Sequence, residues 1–329
     1  MAEYKGIHGT KVQDYTTDPD NPITGQVWYN ETANTIRVEA QTTAGAWATG
    51  GNLNTGRSAL GGAGTQTAAI AAGGFTPVSP YNQSVTELYN GSSWTEVADL
   101  AQARRSLAAA GTSTAAIFFA GIRPGDTVLG NTESWNGSAW TEVNNLNTAR
   151  RGCGGNGTQT AALAEGGNTY PGGNIANVES WNGSSWTEIT DTNSAKNDTA
   201  AAGTQTSALV FGGSSPQALT ESWNGSAWTE VNDLNTARSA LGGVGTDNTS
   251  VLGFGGYTYP GFTANTEEWN GSSWTEVNNL GTARYALAGA GTPSSALAFG
   301  GGNTGPTRLA ATEEWTGAGA PVIKTITTD

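Results

Sequence analysis

Charge is scarce in this chain. Asp, Glu, Lys and Arg make up 12% of its 329 residues, about half the roughly 25% of an ordinary soluble domain, which excludes an architecture of long helices with charged outer faces. Cations are the scarcer sign: 14 Lys and Arg against 27 Asp and Glu leave a formal net charge of −13. Nucleic acid is therefore excluded as a partner, because phosphate binding needs a basic patch that releases counterions. One Cys and one His rule out an internal disulfide and a histidine-based metal cluster, the usual staples of a weak fold. Apolar runs are short, Ala115 to Ala120 being among the longest, so no membrane insertion is expected. Met1 to Lys11 has no apolar h-region, and a product without a signal peptide, made in the cytosol, is expected.

Glycine and aromatic residues are plentiful instead. With 48 Gly and 11 Pro the chain also holds 12 Trp, 9 Tyr and 7 Phe, more large apolar surface than a solvated disordered tail carries. The length allows two domains at about 150 residues each, but all-β sheets often run longer as one.

An internal repeat organises most of the chain. Glu133-Ser-Trp-Asn-Gly-Ser-Ala-Trp140-Thr-Glu-Val recurs at Glu179 to Ile189, Glu221 to Val231 and Glu267 to Val277, and at Glu87 to Val97 with Tyr89 for the first Trp. The second Trp falls at Trp47, Trp94, Trp140, Trp186, Trp228 and Trp274, in steps of 47, 46, 46, 42 and 46 residues. Ten residues after each stands a cation: Arg57, Arg104, Arg150, Lys196, Arg238 and Arg284. A Gly-Gly pair or its remnant follows at Gly73-Gly74, Ala120-Gly121, Gly166-Gly167, Gly212-Gly213, Gly255-Gly256 and Gly300-Gly301.

Each unit reads as four short strands with turns between, and helical periodicity is absent. In the first unit these are Ser58 to Gly64, Ala68 to Gly73, a third ending at Tyr89 and a fourth starting at Trp94. The Trp-Asn-Gly-Ser-Ser-Trp phrase predicts a tight hairpin in which Gly supplies positive φ. It sets Trp181 opposite Trp186 as a cross-strand pair. Burying one such ring contributes up to roughly 4 kcal/mol, an upper bound because the unfolded chain already hides part of it. These Trp are expected to pack between adjacent units.

Repeated four-stranded sheets have open edges, and radial packing around an axis protects them. Ala240-Leu-Gly-Gly-Val-Gly245 is made of small residues, as the innermost strand must be where units converge. The sixth unit has Glu313-Glu-Trp315 but Ala320 in place of its second Trp, while Gly45 to Asn54 matches a fourth strand without a first, second or third. The expectation is therefore an all-β, six-bladed propeller over 46–320, with the strand around Trp47 closing the last blade. Blades start near 57, 104, 150, 196, 238 and 284. Residues 1–45 are expected to form an attachment arm and 321–329 a C-terminal strand.

These phrases resemble the kelch-type β-propeller repeat, with its Gly-Gly after the second strand and aromatics in the third and fourth; WD repeats fit less well, lacking Gly-His and Trp-Asp. Asn235-Thr-Ala-Arg-Ser-Ala-Leu-Gly-Gly and Gly157-Thr-Gln-Thr-Ala-Ala-Leu are similar to the kelch-like repeats of virion proteins of aquatic tailed bacteriophages. Asp18-Pro-Asp-Asn-Pro-Ile-Thr-Gly-Gln-Val-Trp-Tyr29 is similar to leader segments of phage tail and appendage proteins. The resemblance implies a virion protein present in multiple copies per particle, on a tail, appendage or capsid. A propeller alone does not imply a function.

Galactose oxidase shares the kelch repeat, but its copper site needs two His and a Tyr crosslinked to Cys. Here His8 stands alone outside the repeats, and Cys153 aligns with Leu60, Leu107 and Leu241 as a core residue. Glycosidase chemistry needs two unequal carboxylates. The carboxylates here recur equivalently, as Glu133, Glu179, Glu221, Glu267 and Glu313 and as Glu96, Glu142, Glu188, Glu230 and Glu276. No enzyme and no cofactor is expected, and the repeated cations are read as making inter-blade ion pairs or bonds to loop carbonyls. The Asn-Gly-Ser sequons from Asn90 onward are read as turns, not glycan acceptors.

Variation between copies is concentrated after each Gly-Gly, in Phe75 to Ser84, Ile122 to Asn131, Asn168 to Asn177, Ser214 to Leu219, Tyr257 to Asn265 and Asn303 to Ala311. Phe75, Tyr81, Tyr170, Tyr257, Tyr259 and Phe262, with Arg123 and Arg308, are the candidate contacts to a host-surface glycan or protein, as exposed-loop residues on a rigid scaffold. In the arm, Gln26 to Tyr29 and Thr35 to Val38 predict a hairpin that the strand-like Val322 to Thr328 pairs with. Trp28 and Tyr29 are the candidate contacts to other virion proteins. Two alternatives remain open: a purely structural decoration protein of the particle, and an intracellular kelch adaptor.

Overall fold

A computed structural model of the chain describes residues 12–20, 22, 25–41, 44–305, 308–319 and 321–326. His8 with the rest of Met1 to Lys11, Asn21, Ile23 and Thr24 of the leader-like stretch, Ala320 and residues 327–329 lie outside them. Every regular element among the described residues is a β-strand, and the strands divide into two compact units, Ala46–Trp315 and Met1–Gly45 with Thr316–Asp329.

The larger unit holds six antiparallel four-stranded sheets. From inner to outer strand, blade 1 runs Gly61–Thr65, Ala68–Ala72, Thr86–Tyr89 and Trp94–Glu96, and blade 2 Ala108–Gly111, Ala116–Phe119, Thr132–Trp135 and Trp140–Val143. Blade 3 is Gly154–Thr158, Ala161–Glu165, Val178–Trp181 and Trp186–Ile189, and blade 4 Ala200–Thr204, Ser207–Phe211, Thr220–Trp223 and Trp228–Val231. Blade 5 is Gly242–Asp247, Ser250–Phe254, Thr266–Trp269 and Trp274–Val277. Blade 6 is Ala288–Thr292, Ser295–Phe299 and Thr312–Thr316, with Ala46–Thr49 as its outer strand. Each inner strand neighbours the next, and that of blade 6 neighbours that of blade 1. The unit is a closed β-propeller whose last blade takes its outer strand from the beginning of the chain.

The inner strands are small because nothing larger fits. A Cβ on Gly62 would stand 2.5 Å from the Phe299 ring, and one on Gly155 2.9 Å from Phe119. The Gly-Gly pair has a backbone cause: Gly73 and Gly74 sit at φ +68° and +115°. In blade 2, Ala120 tolerates the first of these at +62°, whereas the second, +111°, is kept by Gly121. That second region is accessible in practice only to glycine.

Trp181 and Trp186 face each other in register, as do Trp135 with Trp140, Trp223 with Trp228, Trp269 with Trp274 and Tyr89 with Trp94. In the hairpin turn Gly91 takes positive φ (+91°), but Asn90 does not and works through its side chain. Its Oδ1 accepts the Ser92 and Ser93 backbone N–H groups at 3.0 and 2.9 Å, an Asx turn.

The outer Trp rings fill the seams. Trp94 of blade 1 packs 4.9 Å from Phe299 of blade 6, and its indole N–H donates to Thr312 Oγ1 at 3.0 Å. Trp140, Trp186, Trp274 and Trp47 donate in the same way to Thr86, Thr132, Thr220 and Thr266 of the blade before. On the opposite face Gln66, Gln159 and Gln205 each reach back to the carbonyl of Trp315, Trp135 or Trp181 in the preceding blade. Closure between blades 6 and 1 therefore repeats the contacts made between blades 2 and 3.

The smaller unit is a four-stranded sheet in the order Gln13–Tyr15, Val27–Asn30, Thr35–Gln41 and Pro321–Ile326. Its register pairs Val27 with Val38 and Ile36 with Ile326. Asp18 accepts from the Trp28 indole at 3.0 Å and from Asn30 at 2.8 Å, and pairs with Arg37. These bonds hold its carboxyl below the ordinary value. Trp28, read from the sequence as a contact to other proteins, is instead fully buried, with its indole N–H satisfied by Asp18, as a buried Trp requires. Tyr29 is half-buried, with its hydroxyl on Asn34.

A candidate binding site at the axial mouth

The site is built outward from the repeated cations. Each is buried and paired with the glutamate of its own blade's third strand: Arg57 with Glu87, Arg104 with Glu133, Arg150 with Glu179, Lys196 with Glu221, Arg238 with Glu267 and Arg284 with Glu313. The expected inter-blade pairing is corrected here, since the ion pair lies within a blade. It is the glutamate that ties blades together. Glu179 Oε2 accepts from the backbone N–H of Asn147 at 2.7 Å and its Nδ2 at 2.9 Å, on the linker arriving from blade 2. Glu87, Glu221 and Glu267 hold Asn54, Asn193 and Asn235 alike. Burial pulls the pKa of Arg57, Arg104, Arg238 and Arg284 down and the paired glutamate opposes it. The guanidiniums stay charged, given how far above neutrality they start.

Two residues beyond each cation the backbone closes a ring around the axis. Ala59, Ser106, Gly152, Asp198, Ala240 and Ala286 each donate a backbone N–H to the carbonyl of the previous member, at 2.7–2.9 Å, and Ala59 completes the circle on Ala286. All six lie at positive φ, between 48° and 59°, and only one is glycine. Left-handed backbone costs a non-glycine residue roughly 1 kcal/mol. The closed circle of hydrogen bonds offsets that cost and fixes the mouth.

Above the ring is a cavity of about 400 Å³, a size suited to a small ligand. Leu60, Leu107, Leu241, Leu287 and Cys153 line it. Cys153 is buried, which pushes its thiol up to about 12 and leaves it inert. Phe75 stands at one side, with the guanidiniums of Arg105 and Arg308 5.4 and 5.2 Å from its ring centroid. Arg105 also donates to Asn82 Oδ1 at 2.7 Å and lies 3.7 Å from Asp126. Arg308 makes no hydrogen bond or ion pair among the described residues, and its Nε is buried without a partner. Asp198 stands across the axis, in blade 4 opposite blade 1, its carboxyl raised by burial and lowered in part by Arg151.

Of the residues singled out from the sequence, Phe75 and Arg308 line this cavity. Tyr81, Tyr170 and Tyr259 are 57%, 52% and 85% exposed at loop tips, and Arg123 is exposed on its own short hairpin. Tyr257 and Phe262 are half-buried, as is Phe75, so these three are not the freely exposed aromatics expected. Tyr257 and Phe262 pack with Tyr285, which stacks 4.7 Å from Phe262. Arg105, Asp198 and Tyr285 line the mouth but carried no expectation. Their signal is positional: they fall one or two residues after the cation, where the six copies stop agreeing. Among the described residues no group of three or more His, Cys, Asp or Glu is placed to hold a metal ion.

The class this geometry defines is a β-propeller with an axial cavity on its loop-rich face. No family model matches the chain, and no curated protein matches it. Among solved structures 500 chains match. One of them, described as "Structure of YjhT", superposes with a TM-score of 0.67 at 11% sequence identity, covering 83% of this chain and 99% of that chain. At that identity the likeness establishes the β-propeller fold.

Proposed function

We propose that the chain is a non-enzymatic receptor-binding protein of a tailed-phage virion. Its loop-rich face engages a host-surface glycan or protein, and its arm engages other virion proteins. The observation that carries the binding role is the asymmetry of charge. Outside the buried ring, the propeller of this acidic chain has four cations, Arg105, Arg123, Arg151 and Arg308, and all four follow a cation-ring or Gly-Gly position on the same face as the axial mouth. The virion role rests on the resemblance of the repeat phrases and leader. The non-enzymatic reading is supported by the lining: Asp198 is the single carboxylate among the residues that line the cavity, whereas glycosidase chemistry uses a pair.

For the arm, Val27, Ile36 and Ile326 share one sheet face and are 38%, 40% and 43% exposed. We assign the virion contact to this face in place of Trp28. Purified protein is expected to bind host cells, and replacing Tyr257 and Tyr259 by Ala to weaken that binding. Unaltered cell binding by that variant would count against the loop face. Failure of the wild type to bind would leave the decoration reading in its place.

A further inference from the structure

Resting on the receptor-binding reading, we infer that the axial mouth takes an acidic hexose residue of a polysaccharide, with its anionic oxygens between Arg308 and Arg105 and its hydroxyls toward Asp198. Arg308 comes from blade 6, Phe75 from blade 1 and Arg105 from blade 2, so both guanidiniums converge on one ring at one side of the cavity. Like charges brought together near an apolar wall repel, and an anion between them reverses the sign of that interaction. Arg308 needs such an anion most: it is half-buried, has no counter-ion among the described residues, and its Nε is buried without a partner. A guanidinium fork matches the oxygens of a carboxylate or a phosphate.

The rest of the lining sets the body of the ligand. The leucines offer an apolar wall to the C–H face of a sugar ring, and Tyr285 offers a hydroxyl beside it. Asp198 lies across the axis from Arg105 and Arg308, with Arg151 near enough to act on its charge, and its carboxyl oxygens accept hydrogen bonds from hydroxyls. A hexose with an acidic group at one end presents those features in that order, and about 400 Å³ accommodates one such ring.

Calorimetric titration of the full chain with glucuronate, glucose 6-phosphate and glucose tests this. Wild type is expected to bind at least one acidic sugar tenfold or more tightly than glucose, and the two acidic sugars separate carboxylate from phosphate. Arg308→Met is expected to lose that preference with at most a small drop in Tm, since among the described residues the Arg308 side chain has no hydrogen bond or ion pair and gives up only its contact with the Phe75 ring, and Arg308→Lys to recover part of it. Equal binding of glucose by wild type, or an acidic-sugar preference that survives Arg308→Met, overturns the inference. Host-cell binding measured in parallel keeps the two claims apart. Cells bound without any acidic-sugar preference sink the mouth assignment alone, and acidic sugar bound without cells sinks the receptor role alone.

Discussion

The seam between blades 3 and 4 is built differently from the other five. Elsewhere the outer Trp finds a threonine hydroxyl in the preceding blade; at this seam the equivalent residue is Val178, and the Trp228 Nε1 is buried without a partner. Blades 2, 4, 5 and 6 end their second strands in Phe119, Phe211, Phe254 and Phe299, each packed on the next blade's outer Trp. Blade 3 ends in Glu165, buried and bonded to Asn156. The cation arriving after this seam is Lys196, which bonds Glu221 alone, where Arg238 also donates to the carbonyls of Gly255 and Asn265. A repeated scaffold thus tolerates polar groups at one seam that it satisfies at the others, because closure is shared among all six.

Glu165 shows how the tolerance works. Its Oε2 and Asn156 Oδ1 are both buried without a partner, which is costly for a carboxylate. A proton on the acid supplies the missing donor, and burial accordingly raises its pKa to about 8 despite the Asn156 bond.

The sharpest break in this comparison comes from the ion pairs. Arg238→Met strands Glu267 and two carbonyls, and is expected to cost about 3–5 kcal/mol in denaturant unfolding. Lys196→Met strands only Glu221 and is expected to cost less; equal losses would show that the carbonyl bonds contribute nothing.

Next in size is the pH dependence of Glu165. The folded chain keeps its proton to about pH 8, whereas the unfolded chain releases it near the ordinary glutamate value. Between those limits the unfolded state binds fewer protons, so stability falls as pH rises through the window. Glu165→Gln, which keeps both donor and acceptor, is expected to flatten that fall and gain about 3 kcal/mol over wild type at pH 8, with little difference at pH 5. A parallel pH profile for the two proteins would refute a neutral acid.

The smallest effect sharpens the contrast in both directions. Thr132→Val removes the acceptor for Trp186 and is expected to cost about 1–2 kcal/mol, while Val178→Thr gives Trp228 its acceptor and gains about 0.5–1 kcal/mol. Shifts in Tm of the same sign for both variants would contradict the assignment.

The propeller was legible in the sequence because each blade is specified locally and written repeatedly. The spacing of Trp47, Trp94 and their equivalents gives the strands, and the defective sixth unit beside the orphan strand at Trp47 gives the closure. The mouth was not legible in the same way. Arg105 and Arg308 are far apart in the chain and meet on Phe75 only because the ring closes. Asp198 sits in a linker whose residue types look unremarkable. Cation pairing inside the blades was also hidden, since a periodic Arg and a periodic Glu look the same whether they pair within a unit or across two.

By itself, then, the amino-acid order determined the strands, their number per unit and the aromatic filling of the seams, because these depend on alternation and on contacts between near neighbours. Only the tertiary structure decided that six linker residues, five of them not glycine, take left-handed backbone and join N–H to carbonyl around the axis. Those bonds are made by main chain that every residue carries, so no side chain records them; they exist because each blade holds the next at a fixed rotation.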